Sequence, residues 1–186
     1  MHGKEEKLEY RHLGKSGLEV SVVGLGTNNF GGRCDLNQTS TVIHSALDSG
    51  INLFDTSNIY GAGLSEEYIG RVIEGHRHEV VIATKFAGPV GEGPMLRGAS
   101  RQHIFTAVED SLRRLDTDYI DLYQVHFPDN ETPLEETIRA LDDLVRSGKV
   151  RYLGNSNFLG WQIAASHWIA QTHHLTPFVS AQPQYS

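Results

Sequence analysis

The sequence predicts an α/β fold built on a parallel sheet, and three observations predict it. Strand-like and helical runs alternate along most of the 186 residues. The strand-like runs are apolar on consecutive positions, as in Val80–Ala83, which suits strands covered on both faces. Polar side chains able to do chemistry recur at the carboxyl ends of those runs, where parallel folds gather their active groups.

Taken in order, Leu8 to Val20 reads as a small hairpin or cap in which Gly14 and Gly17 supply turns, an expected amino-terminal unit over residues 1–19. A single domain is expected over residues 20–186. Its strands are expected at Val20–Gly26, Asn52–Asp55, Val80–Lys85, Ile120–His126, Val150–Gly154 and Pro177–Gln182. Its helices are expected at Thr39–Ser49, Ser65–Glu74, Arg101–Arg114, Leu134–Ser147 and Trp161–Thr172, giving six strands and five helices. In the third helix Ile104, Ala107, Val108, Leu112 and Leu115 recur at spacings of three and four, and Leu134, Ile138, Leu141, Leu144 and Val145 make a second stripe in the fourth. The fourth helix is also punctuated, with Thr132 as N-cap, Pro133 at the first helical position, Glu135 three residues after the cap and Gly148 past the end. In the fifth, Trp161, Ile163, Ala164, Trp168 and Ile169 are expected in core or interface packing. Residues 87–99, interrupted by Gly88, Gly91, Gly93, Gly98, Pro89 and Pro94, form the longest nonperiodic stretch, an active-site wall or plain surface.

Composition narrows the function classes. Hydrophobic residues make up 39% and charged residues 21%, a globular balance, and no apolar run is long enough to span a bilayer, so no membrane role is expected. Acidic residues outnumber basic ones 23 to 16, and the bases are scattered rather than gathered into a phosphate-binding stripe, which argues against nucleic acid. Met1 to Arg11 is polar and lacks the apolar core of a signal peptide, so a cytoplasmic protein is expected. The single cysteine, Cys34, has no partner for an intrachain disulfide or a zinc cluster and reads as an incidental loop residue. His173 and His174 are adjacent and point apart around a helix, with no third ligand at helical spacing, so no metal site is expected.

Repeated strand–helix units build either an open doubly wound sheet or a closed barrel. An open dinucleotide fold would run its glycine fingerprint from strand straight into helix, whereas Gly24, Gly26, Gly31 and Gly32 lead into a polar loop and the helix begins only near Thr39. A barrel would also bring together Asp55 and Tyr60 after the second strand, Lys85 after the third, His126 after the fourth, Ser156 and Asn157 after the fifth, and Gln182 after the sixth. A phenol, with an ordinary pKa of about 10, is a sluggish proton donor at neutral pH, and a neighbouring ammonium would make it more acidic. Lys85 would supply that charge to Tyr60, Asp55 would hold Lys85 by an ion pair, and His126 would donate a hydrogen bond to a carbonyl oxygen gathering negative charge. These groups make an acid and an oxyanion site but no electron source, so a carbonyl held there needs hydride from a bound cofactor. Phe30, Phe86 and Phe127, in or beside the strand-end loops, would form an apolar wall for an aldehyde or ketone.

The segments Gly24–Thr27, Phe54–Gly61, Thr84–Phe86, Asp118–His126 and Gly154–Phe158 resemble the signatures of the aldo-keto reductases, in the same order and at family-like separations. The resemblance implies a parallel (β/α)8 TIM barrel, a nicotinamide cofactor laid across its carboxyl face, and reversible reduction of aldehydes or ketones. The family's catalytic groups fall on Asp55, Tyr60, Lys85 and His126. Its contacts to the nicotinamide carboxamide fall on Ser156, Asn157 and Gln182, with Asp55, Thr27 and Asn28 also beside the cofactor. NADPH is the family's usual cofactor, and NADH is not excluded. Thr132 to Gly154 further resembles bacterial and fungal members related to potassium-channel beta subunits, which makes a nicotinamide-binding sensor with little turnover the alternative to an enzyme. Asn155 and Phe127 depart from the family's usual residues, and neither removes a catalytic group. Family members continue well past the sixth strand, where they carry two more strands, an aromatic that stacks on nicotinamide and bases for the adenosine phosphate. The 186-residue chain is therefore expected to hold six of eight strands and to be a poor or inactive enzyme and a poor monomer alone, unless another copy, as in a homo-oligomer, another chain or further residues complete the barrel.

Overall fold

The computed structural model describes residues 8–184. A hairpin comes first, with β1 (Tyr10–His12) antiparallel to β2 (Glu19–Ser21) and Arg11 opposite Val20. A parallel sheet follows, its strands in sequence order: β3 (Leu25–Gly26), β4 (Leu53–Asp55), β5 (Val81–Phe86), β6 (Ile120–Val125), β7 (Val150–Ser156) and β8 (Phe178–Gln182). The intervening helices are α1 (Leu36–Asp48), α2 (Leu64–Val72), α3 (Arg101–Leu115), α4 (Leu134–Arg146) and α5 (Gly160–His173). Gly24 and Gly26 from one end of the sheet and Ser180 and Gln182 from the other line a single cavity of about 340 Å³. The sheet is thus curled, an arc of six strands from a (β/α)8 barrel, with β3 and β8 as its free edges among the described residues.

Alternation along the strands divides the side chains between two faces. Phe54, Ile82, Phe86, Tyr123 and Leu153 turn outward and pack with Ile43, Ile69, Ile104 and Leu141 in the buried core. Asp55, Ala83, Leu122 and Gln124 turn inward toward the cavity. The hairpin closes the amino-terminal floor of the arc. The Tyr10 hydroxyl donates to the Gly50 carbonyl at 2.6 Å, and the Ser21 N–H donates to Asn52 Oδ1 at 2.7 Å. On the far side Gly14, at φ +60°, presses on the Val179 carbonyl so closely that no Cβ would fit.

Three elements depart from the sequence expectations. The first strand is broken, because the Ser21 hydroxyl donates to the Val23 carbonyl at 2.6 Å and exposes Val22 and Val23, leaving only Leu25–Gly26 in the sheet. Helix α1 starts at Leu36 rather than Thr39, because Asp35 and Gln38 form a reciprocal capping box with bonds of 2.9 and 3.0 Å. Helix α4 starts at Leu134 with Pro133 in the cap position, and Thr132 does not cap it. The Thr132 hydroxyl donates instead to Asp129 Oδ2 at 2.7 Å.

Buried polar contacts lock the helices to the sheet. Glu66 of α2, with no exposed surface, accepts from Thr84 Oγ1 of β5 at 2.5 Å and from Arg114 of α3 at 2.7 Å. Beside it, Gly70 lets α2 and α3 meet, since a Cβ there would stand 2.5 Å from the Leu115 carbonyl oxygen. Gly70→Ala is expected to push the helices apart and cost roughly 1–3 kcal/mol, read as a lower urea midpoint at unchanged slope. In α5, Trp161 and Trp168 are 65% and 66% exposed and lie outside the core. No helix among the described residues is long and apolar enough to cross a membrane.

Candidate active site

The carboxyl ends of β4, β5 and β6 bring four polar side chains together. Lys85, the penultimate residue of β5, points into the arc and is 1% exposed. Its ammonium donates to Asp55 Oδ1 at 2.5 Å and to the Thr56 carbonyl at 3.0 Å. It also lies 5.2 Å from the centroid of the Tyr60 ring. His126, just past β6, meets that ring edge-on, with centroids 5.8 Å apart and planes at 81°. Ser57, buried after β4, sits 3.1 Å from His126 Nδ1. When its hydroxyl donates there, the imidazole proton resides on Nε2, which becomes a donor.

The electrostatics differ from the sequence expectation in one respect. Burial pushes the Tyr60 phenol above its ordinary value, and the Asp55 carboxylate pushes it further the same way. The anticipated acidification by Lys85 does not prevail at the phenol, where burial and then the Asp55 carboxylate set the direction. Burial also draws the Lys85 ammonium below its ordinary value, with Asp55 opposing. For His126, burial first and the Lys85 charge second lower the pKa to about 4. The unfolded chain therefore takes up a proton below its ordinary value of about 6.5 that the native imidazole refuses, and the contribution of neutral His126 to stability is lost as pH falls toward 4. An NMR titration of the His126 ring should show a midpoint near 4, and a midpoint at 6.5 would contradict this burial effect.

A second group of side chains spans the ends of β7 and β8. The Ser156 hydroxyl donates to the Gln182 carbonyl at 2.9 Å. The Asn157 amide donates to the His126 carbonyl at 2.9 Å and to Ser156 Oγ at 3.1 Å, from a left-handed backbone at φ +58° that asparagine tolerates. Gln124 Nε2 donates to Gln182 Oε1 at 3.3 Å. These bonds leave Asn157 Oδ1 as an acceptor and Gln182 Nε2 as a donor with no partner among the described residues. A carboxamide presents one acceptor and two donors, so the pair fits a nicotinamide amide. Gly26 adds open space beside Asp55, where a Cβ would meet nothing within 4 Å. Asn28 is exposed on the rim. Thr27, in contrast, is fully buried, and its hydroxyl is spent on the Asp55 carbonyl at 2.9 Å, so its side chain is turned away from any cofactor.

The three aromatic residues expected on a substrate wall part company. Phe86 alternates with inward-facing Lys85, points outward, and stacks on Tyr123 at 4.8 Å in the core. Phe30 is 3% exposed and belongs to the same core. Phe127 alone is open, at 43% exposure, and it stacks on His126 with ring centroids 4.2 Å apart. It lines a cavity of about 540 Å³ between residues 87–98 and 127–132. Asp129 ties those loops by accepting from the Ala99 N–H at 2.8 Å. Sequence reasoning missed Ser57, Gln124 and Ser65; the first and last lie within or just after the quoted Phe54–Gly61 segment, and Gln124 is in register with Lys85. His173 leans toward Glu135 at 3.5 Å, while His174 closes α5 in the left-handed conformation.

Comparisons with known proteins point to one family. The profile of the Aldo/keto reductase family matches residues 22–186. Similar relatives include "Uncharacterized oxidoreductase YrpG" of Bacillus subtilis, 44% identical over 96% of this chain and 58% of its own length. "Aldo-keto reductase YhdN" of the same organism is 42% identical over 91% of this chain and 53% of its own. "Probable voltage-gated potassium channel subunit beta" of Arabidopsis thaliana is 37% identical over 96% of this chain and 56% of its own. The chain spans a little over half the length of these curated relatives. With nearly all of it matched, on a barrel arc that gathers Asp55, Tyr60, Lys85 and His126, the chain belongs to the aldo/keto reductase family.

Proposed function

We propose that the protein is an NADP-dependent aldo-keto reductase that transfers hydride between nicotinamide and an aldehyde or ketone. The observation that carries this reading is the buried Lys85–Asp55 pair set against the Tyr60 ring, with His126 edge-on to that ring. The likeness to an oxidoreductase and an aldo-keto reductase of Bacillus subtilis supports the oxidoreductase part of this reading. Bound NADPH would supply the hydride in reduction and accept it in the reverse direction. Tyr60, protonated at neutral pH as any phenol is and more firmly so through burial, gives its proton to the carbonyl oxygen as negative charge builds there. His126, neutral, donates a hydrogen bond from Nε2 to the same oxygen when the Ser57 hydroxyl donates to its Nδ1, and so orients that oxygen. Lys85 and Asp55 hold the phenol's surroundings fixed and nearly neutral. Asn157 and Gln182 hold the carboxamide, Ser156 braces Asn157, and Phe127 walls the substrate side.

The test, made on the intact barrel, follows the loss of reduced-nicotinamide absorbance with a panel of aromatic and aliphatic aldehydes, using Tyr60→Phe as the blank and NADPH and NADH in parallel. Turnover above the blank, with tighter NADPH binding, is expected. Turnover equal to the blank sinks the enzyme reading, and tighter NADH binding sinks the NADP assignment. The likeness to a probable potassium channel beta subunit of Arabidopsis thaliana favours a second reading, a nicotinamide-binding regulatory subunit. Tight cofactor retention, negligible turnover and a reproducible protein partner would select it.

A further inference from the structure

Three fully buried hydroxyls lie beneath the active-site floor, and Ser65 is their hub. Its Oγ stands 2.9 Å from Thr56 Oγ1, 2.9 Å from Thr27 Oγ1 and 3.1 Å from the Thr27 carbonyl oxygen. All three residues have 0% exposure. Counting protons and acceptors favours one direction for the bonds. The Thr27 hydroxyl gives its proton to the Asp55 carbonyl at 2.9 Å. Ser65 has one proton for two acceptors on Thr27, the nearer being the hydroxyl oxygen, and Thr56, whose hydroxyl has no other acceptor among the described residues, is then the donor to Ser65. The result is a one-way chain, Thr56 to Ser65 to Thr27 to the Asp55 carbonyl, in which each bond polarises the next.

Both ends of this chain bear on Lys85. Asp55 carries the carboxylate that accepts from the ammonium at 2.5 Å, and Thr56 carries the carbonyl that accepts from it at 3.0 Å. The Asp55 carbonyl takes a second bond from the Thr27 N–H at 3.0 Å, which leaves that peptide little freedom. The route by which Ser65 arrives is itself unusual. Gly61, Ala62 and Gly63 are all left-handed, at φ +56°, +55° and +95°, and for Ala62 that conformation is unfavourable. The backbone keeps this turn and so delivers the second residue of α2 directly under the strand ends.

We propose that Ser65 is a positioning residue for Lys85, its hydroxyl fixing the Asp55 and Thr56 peptides so that a carboxylate and a carbonyl oxygen converge on the ammonium. The role in turnover rests on the reductase reading above, whereas the effect on Lys85 does not. The experiment titrates Lys85 in the full chain through the carbon NMR signal of its Cε, alongside kcat and KM. The titratable groups facing Lys85 are Asp55, Tyr60 and His126, and none of them is altered. Ser65→Ala is expected to lower the Lys85 midpoint by about one pH unit. It should lower kcat about tenfold while KM for the aldehyde stays within about twofold. Ser65→Thr, which restores the hydroxyl, should return both toward wild type. Thr56→Val removes the first donor and leaves Ser65 in place, so it gives the same direction of change should Ser65→Ala fail to fold. A folded Ser65→Ala or Thr56→Val protein whose melting temperature falls while the Lys85 midpoint stays put overturns the proposal. Because the midpoint is read without turnover, a wild-type protein that reduces no aldehyde would end the reductase reading while the Lys85 shift still decides the role of Ser65.

Discussion

Replacing Tyr60 with phenylalanine is expected to lower kcat by about 10²- to 10⁴-fold. The substitution removes one oxygen and leaves a ring of the same size edge-on to His126 and near the Lys85 ammonium. Packing and cofactor affinity should therefore change little, and the loss should appear in kcat rather than in KM. The phenol is held above its ordinary pKa by burial and by Asp55, so at neutral pH the lost group is a protonated donor. In the direction of carbonyl reduction the defect should persist across the neutral range, since the Lys85 ammonium is turned to Asp55 and the Thr56 carbonyl rather than to the substrate side. His126 is neutral there and can donate a hydrogen bond, but giving up its remaining proton would create an unstable imidazolate. Steady-state kinetics on the phenylalanine variant checks this, and a kcat within about threefold of wild type would remove Tyr60 from the role of proton donor.

Arg114→Met should produce the largest loss of stability, about 3–5 kcal/mol. The arginine side chain is 22% exposed, but its partner Glu66 is wholly buried between α2, α3 and β5. Removing the guanidinium leaves a carboxylate without its countercharge and with only the Thr84 hydroxyl for support. Methionine keeps much of the stem's apolar contact, so the effect isolates the charge. Equilibrium urea unfolding would show it as a lower midpoint. A double variant, Arg114→Met with Glu66→Gln, should recover a substantial part of the loss, because no ion then remains buried. Purely additive single losses would mean that the two side chains act independently.

The repeating architecture was legible because it is written in periodicity. The α3 stripe from Ile104 to Leu115 and the consecutive apolar residues of β5 each have a physical cause local to the segment. Boundaries failed where side chains made unanticipated hydrogen bonds, as with Ser21 breaking the first strand and Asp129 diverting the expected Thr132 cap. The polar cluster was visible as residue types at strand ends, and Asp55, Lys85, Tyr60 and His126 do come together. The aromatic wall was misjudged at Phe86, although alternation from an inward lysine would have placed the next side chain on the other face. Thr27 and Phe30 were harder, since their burial depends on α2 returning beneath the first loop. The Tyr60 pKa could not follow from residue types alone, because its direction is set first by how deeply the phenol is buried and then by the nearby Asp55 carboxylate.

The outward face of α5 has a spectroscopic consequence. The chain contains two tryptophans, Trp161 and Trp168, and both are about two-thirds exposed on one helix. Seven positions is close to two full turns, so the indoles lie on the same side of that helix. Nearly all intrinsic tryptophan emission then originates from one strip of surface, remote from the outward core and bathed in water. The protein carries a built-in optical label for that strip: whatever covers α5 shifts the emission to the blue, whereas repacking beneath α2 or α3 leaves it almost silent.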